Sequence, residues 1–593
     1  MSYLKFDKNL MINLEWSLPK EMLRTNKSGA YHCTTIVDCN TRKQHGLLVI
    51  PIPELDKDNH VMLSSLDETV IQHGAAFNLG LHKYRGDCFS PNGHKYIREF
   101  NCESVPQTMY RVGGVIMTKE KVFISHENRI LIKYTLVDAH SPTVLQFRPF
   151  LAFRNANELC VENYVLDQRY EEVANGISCC LYQGYPRLYM QFNKAPQFIF
   201  DPHWYKGIEY IKDQERGYPY QEDLYVPGYF ELPIKKGESI IFSAGTIEAK
   251  PRSFARTYNE ELANRHMCRS SFFNCLKNSA QQFYFKTKRG HYLLAGYPWF
   301  GVRARDQFIA LPGCTLAVGD DKTFEDVMHS SEKALRHFMS SGELDENIGE
   351  IDLPDIPLWA LWTVYHYAKE KGVEIIGHHE TGGNIPNYER QMDHAMQWYT
   401  EHGIHILKTG YAGAFPNGLS HHGQYGVNHY QKVVEAAARH KVTVDAHEPI
   451  KDTGIRRTWP NMMTREGARG MEWNAWSEGN PPSHHVMLPF TRLLSGPMDY
   501  TPGTFDILFL QTKDSPRRRK WNDQDKGNSR VNTTLAKQLA NWVILYSPLQ
   551  MASDMIEHYE GHPAFQFFRD FDPDCDESKA LAGEPGEFVA IVR

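Results

Sequence analysis

Three glutamates lie at or just past the ends of segments rich in apolar and β-branched residues: Glu380, Glu448 and Glu472. If these segments are parallel strands of a barrel, their carboxyl ends converge on one mouth, where catalytic side chains are found. Carboxylates that lie so near to each other repel one another, so they share protons, bind a cation or divide the roles of acid and base. A carboxylate pair acting as general acid and general base is what glycoside hydrolysis requires. With Glu466 added, the same group could hold a hard cation such as calcium. For any one glutamate, the alternative is a helix cap or an ion pair with an arginine.

Three further polar residues stand near the ends of the same segments. Lys408, His378 and His447 are suited to hydrogen bonds with sugar hydroxyls, which predicts carbohydrate binding at this mouth. Each of them, taken alone, could equally be a structural residue with its own partner. The adjacent pair His421 and His422 cannot easily face one metal ion together, and we interpret it as part of a loop.

The pattern of apolar residues changes twice along the chain. Up to about residue 250, short runs with period-two alternation predict antiparallel sheets and a large β-sandwich. The period then becomes helical, and after Gly372 apparent strands alternate with helices, which predicts a parallel sheet and favours a (β/α) barrel. The predicted helices of the middle part are 255–277, 324–341 and 359–371. The predicted strands of the last part are 373–377, 404–409, 442–446, 470–473, 498–501 and 549–553, with helices at 388–402, 429–440 and 532–545.

Composition excludes several classes of protein. The chain has 593 residues, with Lys+Arg 65 against Asp+Glu 71, and its longest basic cluster is Arg517 to Lys520, so no nucleic-acid partner is expected. No stretch approaches the roughly 18 apolar residues of a membrane span, and the first residues lack the apolar run of a signal peptide, which predicts a cytoplasmic location. The 11 cysteines have no metal-binding spacing and predict free thiols.

The second half of the chain resembles glycoside hydrolase family 97, the calcium-dependent, exo-acting α-glucosidases and α-galactosidases. The resemblance covers residues from about 368 to 593. Its motifs are Gly377 to Gly383, Leu407 to Tyr411, Asp445 to Pro449 and Met471 to Trp476. Relatives of this type are commonly exported, so a periplasmic location is the alternative to a cytoplasmic one.

The resemblance implies a role for each matching glutamate. Glu472 would be the general acid, Glu380 and Glu448 would hold the attacking water as base, and Glu448, Glu466 and Glu472 would contact calcium. Retaining members place an Asp nucleophile where this chain has Gly410. The glycine resembles the inverting branch and leaves room for water, in agreement with the wider carboxylate separation that inversion needs.

The first half resembles the bacterial glycogen debranching enzymes of the amylo-α-1,6-glucosidase type. That resemblance covers residues 1 to about 371. It implies that Arg305 and Asp306 contact a terminal glucose and that Asp355 is a general acid, although a helix N-cap before Pro357 is an equal alternative for Asp355. The motifs are Asn40 to Leu48, Gly296 to Phe300, Arg305-Asp306 and Leu311 to Gly313.

The two resemblances meet near Tyr367 to Gly372, and each looks incomplete there. The fold class expected is therefore multidomain: an N-terminal antiparallel β-sandwich (1–250), a short α-helical, (α/α) toroid-like segment (251–371), an incomplete (β/α) barrel (372–575) and the start of a β domain (576–593). The family's further calcium ligand lies in a domain that the barrel half lacks.

Three functions follow from these expectations. The first is an inverting exo-α-glucosidase that releases glucose from the non-reducing ends of α-glucans. The second is amylo-α-1,6-glucosidase activity from the first half. The third is an inactive fusion that only binds α-glucan. The partner expected in each case is an α-glucan or oligosaccharide, without nucleic acid or membrane, and the oligomeric state is open.

Overall fold

The computed structural model describes residues 3–264, 268–381, 384–411, 414–474, 479–507 and 531–593. The chain divides into two compact units, Met1–Tyr367 and Ala368–Arg593. Within the described residues, no helix is both long and apolar enough to cross a membrane. All 11 cysteines are free thiols, as their spacing predicts.

The first unit contains the predicted β-sandwich, built from two antiparallel sheets of nine and ten strands. Along the strand Val115–Phe123 the apolar residues Val115 and Met117 are fully buried, and such alternation turns one face of each sheet toward the core. The first sheet has the order Lys5–Asp7, Ile97–Asn101, Gln107–Val112, Val115–Phe123, Arg129–Asp138, Ser239–Gly245, Leu188–Phe192, Gly176–Cys179 and Tyr170–Val173. The second has the order Glu21–Thr25, Tyr31–Thr35, Gly46–Pro51, Asn59–Gln72, Thr143–Asn155, Gln221–Ile234, Gln197–Glu209, His82–Tyr84 and Cys88–Ser90, with Ala75–Asn78 paired to Asn59–Gln72.

A group of buried charges lies within this sandwich. Lys119 Nζ is 3.0 Å from Asp38 Oδ2 and 2.6 Å from Glu68 Oε1, and Lys121 donates a hydrogen bond to Asp38. The Tyr134 hydroxyl donates to Glu68 at 2.5 Å. Because the two lysines face two carboxylates, the charges balance, which is the condition under which buried ionised groups are tolerated.

Helices follow the sandwich, as predicted, and one prediction needs correction. The segment 255–277 was expected to be one helix, but it forms two, Phe254–Asn264 and Phe272–Ala280. Ser271 separates them because its side chain accepts a hydrogen bond from the Asn274 N–H and so caps a new helix. The other α-helices that begin in this unit are Lys8–Ile12, Leu14–Ser17, Ile211–Glu215, Ala304–Cys314, Asp321–Ser341 and Ile356–Glu370, and a hairpin pairs Tyr284–Lys286 with His291–Leu293.

The second unit is organised around a parallel sheet of four strands in sequential order. They are Ile376–Glu380, Ile406–Gly410, Thr443–Ala446 and Met462–Arg465. One face packs on helices through buried residues such as Leu407 and Val444. The helices are Ile385–Glu401, Gln424–Arg439, Pro482–Met487, Leu535–Ile544, Ile556–Tyr559 and Gln566–Asp570, and a hairpin of Lys579–Glu584 and Phe588–Val592 comes last.

The predicted multidomain fold class is confirmed, but individual strands of the barrel part differ. The segment 470–473 forms no strand, and its last three residues belong to a short 3-10 helix, Met471–Asn474, in which the Asn474 side chain donates to the Met471 carbonyl and closes a turn. In 498–501 only a single parallel bridge forms, between Met498 and Arg465, and 549–553 forms no strand. The strand Met462–Arg465 was not predicted, because its two methionines do not mark it as β-branched. Among the described residues the parallel strands do not close into a barrel.

Candidate functional site

The strand register of the parallel sheet places the predicted residues in rows. His378 pairs with Lys408, Lys408 pairs with Asp445, and Glu380 pairs with Gly410. Side chains two residues apart point to the same face of a strand, so these residues share the face opposite the helices. The sequence thus folds so that two of the predicted substrate contacts and one predicted base stand together at the carboxyl end of the sheet.

Glu380 and Gly410 lie very close together. A Cβ atom at position 410 would be 2.2 Å from Glu380 Oε2 and 3.3 Å from His378 Nε2. Position 410 therefore accommodates only glycine unless Glu380 moves. Because the residue at this position is glycine, it contributes no carboxylate to the site.

Glu448 is held in a conformation that non-glycine residues rarely adopt. Its φ angle is +40°, and its carbonyl accepts hydrogen bonds from the Tyr430 hydroxyl and the His421 imidazole. Its carboxylate Oε2 accepts from the Tyr411 N–H at 2.9 Å, and its own N–H lies 3.4 Å from Glu466 Oε2. Strained backbone persists only where neighbours fix it, and it concentrates at functional sites. The aromatic and imidazole partners of Glu448 are such neighbours.

Glu466 interacts electrostatically with both other predicted calcium ligands. Burial raises the pKa of its carboxyl, the nearby His447 opposes that rise, and the charges of Glu472 and Glu448 add to it. Arg492 holds the Glu466 carbonyl at 2.9 Å through its Nε. A carboxyl whose proton affinity is raised by two neighbouring glutamates belongs to a donor set of the kind that a hard, oxygen-seeking cation relieves. The residues therefore fit calcium by their chemistry.

Lys408 and His447 converge on Asp499. Lys408 Nζ donates to Asp499 Oδ2 at 3.1 Å, and His447 Nε2 lies 2.5 Å from the same oxygen. Asp499 is 2% exposed and Asp445 is fully buried beside it. Burial opposes ionisation of Asp499, but the hydrogen bond from His447 and the charge of Lys408 hold its pKa below the usual range. Burial and the charge of Asp499 raise the pKa of Asp445 well above its usual value.

Two groups of three side chains in the described part of the chain bring possible metal-ligand atoms within 4.8 Å of one another. The first is Asp445, His447 and Asp499, where the Lys408 ammonium already supplies a positive charge. The predicted set of Glu448, Glu466 and Glu472 is not one of these two groups. The second group is Glu21, Cys33 and His45.

The Glu21 group is less suited to a metal ion. The His45 Nδ1 accepts a hydrogen bond from the Thr41 N–H at 3.2 Å, so in the neutral imidazole Nε2 carries the proton and offers no lone pair. Glu21 already accepts from Arg42 Nε at 2.8 Å. Nothing in this arrangement requires a cation.

The residues predicted in the first unit form an ion pair. Arg305 donates two hydrogen bonds to Asp355, each 2.9 Å long, and the Trp359 indole donates a third at 3.1 Å. The hydrogen bond from Arg305 lowers the pKa of Asp355, so the carboxyl stays ionised in this arrangement. Asp306 is exposed in the first turn of the helix Ala304–Cys314.

Several residues that shape the site were not singled out from the sequence. Asp499 lies in the predicted strand 498–501. Its carboxylate, inside an apolar run, was a sequence feature that could have marked it as a residue of the site. Tyr430 and Arg492 gave no such signal, because their roles depend on hydrogen bonds to the backbone of distant segments.

Three protein-family models match different parts of the chain. Residues 20–241 match the family described as glycogen debranching enzyme N terminal, and 276–405 match amylo-alpha-1,6-glucosidase. Residues 343–468 match glycoside hydrolase 97. The last two matches overlap over 343–405, where both resemblances meet.

Two curated relatives each match less than half of the chain. The chain is 28% identical over 264 residues to a retaining alpha-galactosidase of Bacteroides thetaiotaomicron, covering 42% of this chain and 34% of the relative. It is 28% identical over 230 residues to a probable retaining alpha-galactosidase of Streptomyces bingchenggensis, covering 38% of this chain and 31% of the relative. The chain thus spans about a third of the length of these relatives.

A solved structure resembles the chain as a whole only distantly. A glycoside hydrolase family 97 enzyme from Pseudoalteromonas sp. strain K8, in complex with acarbose, is 20% identical, with 96% of this chain and 84% of that chain covered and a TM-score of 0.35.

Proposed function

We propose that the second unit hydrolyses α-glycosidic bonds by inversion and releases glucose from the non-reducing ends of α-glucans. The observation that carries the proposal is the placement of Glu380 against Gly410 at the carboxyl end of the parallel sheet, in the same unit as Glu448, Glu466 and Glu472. The family 97 match and the two glycosidase relatives support hydrolysis of a glycan. Their names describe retaining alpha-galactosidases, so both the stereochemistry and the sugar proposed here differ from those names.

Gly410 supports inversion because it has no carboxylate that could act as a nucleophile. A retaining glycosidase needs a carboxylate nucleophile roughly 5 Å from its acid, whereas an inverting enzyme keeps space for a water between carboxylates roughly 6.5–9.5 Å apart. Glycine supplies no nucleophile, and the space that a side chain would take is filled by the carboxylate of Glu380, the predicted base. Glu380 and Glu448 then act as base toward the water, and Glu472 protonates the leaving oxygen.

Glu448, Glu466 and Glu472 would hold calcium, and a bound calcium would supply a fixed positive charge beside the carboxylates. Tyr411 and Tyr430 fix the Glu448 carboxylate and carbonyl, and Arg492 fixes the Glu466 carbonyl. These residues orient the oxygens that the reaction uses. Lys408, His378 and His447 orient the sugar through its hydroxyls.

The test is glucose release from maltose and isomaltose, with and without a chelator. Glu472→Gln should lower kcat by about 10²- to 10⁴-fold, the usual contribution of a general acid. The matched control is Glu401→Gln, an exposed glutamate at the end of a helix. Proton NMR of freshly released glucose should show the β-anomer first, and release of the α-anomer first would exclude inversion.

A second candidate is amylo-α-1,6-glucosidase activity of the first unit, favoured by the match over 276–405 and by the Arg305–Asp355 pair. It predicts that glucose release from a limit dextrin is lost in Asp355→Asn and unchanged in Glu472→Gln. The opposite pattern of the two variants would assign turnover to the second unit. If neither variant changes glucan binding and no glucose appears, the chain only binds α-glucan, and weak hydrogen-exchange protection over 373–593 would agree with that result.

A further inference from the structure

Asp499 lies at the centre of a small buried network in the second unit. Its Oδ2 atom receives both the Lys408 ammonium, at 3.1 Å, and the His447 imidazole, at 2.5 Å. The Lys408 and His447 side chains are 19% and 13% exposed, whereas that of Asp499 is 1% exposed. The two donors therefore reach toward solvent, and the acceptor that they share lies beneath them.

We propose that Asp499 is a positioning residue for hydrolysis, which holds Lys408 and His447 in the orientation that binds the sugar hydroxyls. This inference rests on the proposed function, because it assigns Asp499 a role in the same site. Asp499 does not contact the substrate itself. It acts through the two side chains that do.

The geometry explains why one residue is needed for both. Lys408 lies in the middle of the strand Ile406–Gly410, and His447 follows the neighbouring strand Thr443–Ala446. A lysine ammonium on a flexible stem has no preferred direction, and an imidazole can rotate about its side-chain bonds. A shared ionised acceptor removes both freedoms. Positioning groups of this kind lower the cost of binding because the ordering is already complete.

The surroundings keep that acceptor in place. The Asp499 N–H donates to the Arg465 carbonyl at 3.1 Å, next to the single bridge between Arg465 and Met498. Asp445, fully buried beside Asp499, has no hydrogen-bond donor for either oxygen among the described residues. Lys408 Nζ is 3.9 Å from Asp445 Oδ2, which is farther than from Asp499. Lys408 is therefore directed to Asp499 and not to Asp445.

The test compares Asp499→Asn with Lys408→Met and with the double variant. Asp499→Asn keeps size and removes the charge, and it should raise KM for maltose by about 10- to 100-fold with a smaller change in kcat, since hydrogen bonds to a charged group are the strong ones. A merely structural role would instead reduce the folded fraction, which lowers kcat and leaves KM unchanged. The control is Asp393→Asn, an exposed aspartate paired with Arg439 and His440.

Coupling between the residues gives the second readout. If Asp499 acts through Lys408 and His447, its substitution in the Lys408→Met background should raise KM by less than it does alone, because one of its two targets is already gone. Fully additive effects on KM would overturn the inference. A downfield imidazole N–H resonance in the proton NMR spectrum that is lost in His447→Gln and in Asp499→Asn, but kept in Asp393→Asn, would support it.

Three further outcomes are distinguished by the same measurements. If Asp499→Asn fails to unfold cooperatively, Asp499→Glu decides: it keeps the charge but moves the carboxylate, so positioning predicts a raised KM and an unchanged KM contradicts it. If the natural chain releases no glucose from maltose or isomaltose, the proposed function fails and this inference with it. If it does release glucose and Asp499→Asn behaves like Asp393→Asn, only the inference fails.

Discussion

Glu380 Oε2 occupies the space that a side chain at Gly410 would need: the Cβ of any other residue would lie 2.2 Å from it. The two residues sit side by side on adjacent parallel strands. Real Cβ contacts are not that short, so a larger residue must displace the carboxylate. The position of a predicted catalytic base is thus tied to the absence of one methyl group on the neighbouring strand.

Gly410→Ala is therefore expected to lower kcat on maltose by about 100-fold, the cost of a displacement of about 1 Å at a reacting group. Folding should be little affected, because Glu380 is exposed and can move toward solvent. Glucose release and thermal unfolding measure the two effects. Gly313→Ala is the matched control, since a Cβ there meets nothing within 4 Å and the residue lies in a helix. Equal activity of the two variants would show that the position of Glu380 does not matter.

The Tyr430 hydroxyl supports the strained backbone of Glu448, so Tyr430→Phe should weaken turnover without unfolding the protein. A single hydrogen bond contributes about 1 kcal/mol, and the loss should be about five- to tenfold in kcat/KM. Tyr425→Phe on the same helix, Gln424–Arg439, is the control. We would abandon this role for Tyr430 if both phenylalanine variants retained the activity of the natural chain.

The sequence was sufficient for some of these features and not for others. Strand ends in a parallel sheet converge, so the placement of His378, Glu380 and Lys408 near one another followed from periodicity alone. The roles of Tyr430 and Asp499 did not, because they depend on which distant backbone or side-chain atom a hydroxyl or carboxylate reaches. The 3-10 helix Met471–Asn474 could not be predicted either, since a local side-chain bond from Asn474 overrides an apolar pattern typical of a strand.

Charge balance inside the sandwich gives a prediction about stability. Asp38→Asn leaves Lys119 and Lys121 with one carboxylate between them, and removing one partner of a buried ion pair costs about 3–5 kcal/mol. The unfolding free energy of the first unit should fall by about that amount in urea titrations. Asp87→Asn is the control, because Asp87 is 93% exposed and Lys83, 3.3 Å away, stays paired with Glu209 when Asp87 loses its charge. An ion pair with so exposed a partner contributes about 1 kcal/mol or less. A similar small loss in both variants would mean that water reaches the cluster around Asp38.

His32, fully buried in the same sandwich, makes stability depend on pH. Burial, with the charge of Lys121 added, lowers its pKa to about 3, so the imidazole is neutral in the folded chain. The unfolded chain binds a proton at this residue once the pH falls below about 6.5, and the folded chain does not. The stability that depends on a neutral His32 is therefore complete above about pH 6.5 and is lost as the pH falls toward 3, by up to about 1.4 kcal/mol per pH unit.

His32→Gln removes this proton-linked loss. At pH 7.5 the variant should be less stable than the natural chain, because the 3.0 Å hydrogen bond between His32 Nδ1 and the Gly46 carbonyl is gone. At pH 4.5 the difference should shrink or reverse, which urea midpoints at the two pH values will measure. His140→Gln, at a histidine whose side chain is 82% exposed, shows what the same exchange does on the surface. A difference between His32→Gln and the natural chain that stays constant from pH 7.5 to pH 4.5 would mean that His32 takes up its proton as readily in the folded sandwich as in the unfolded chain.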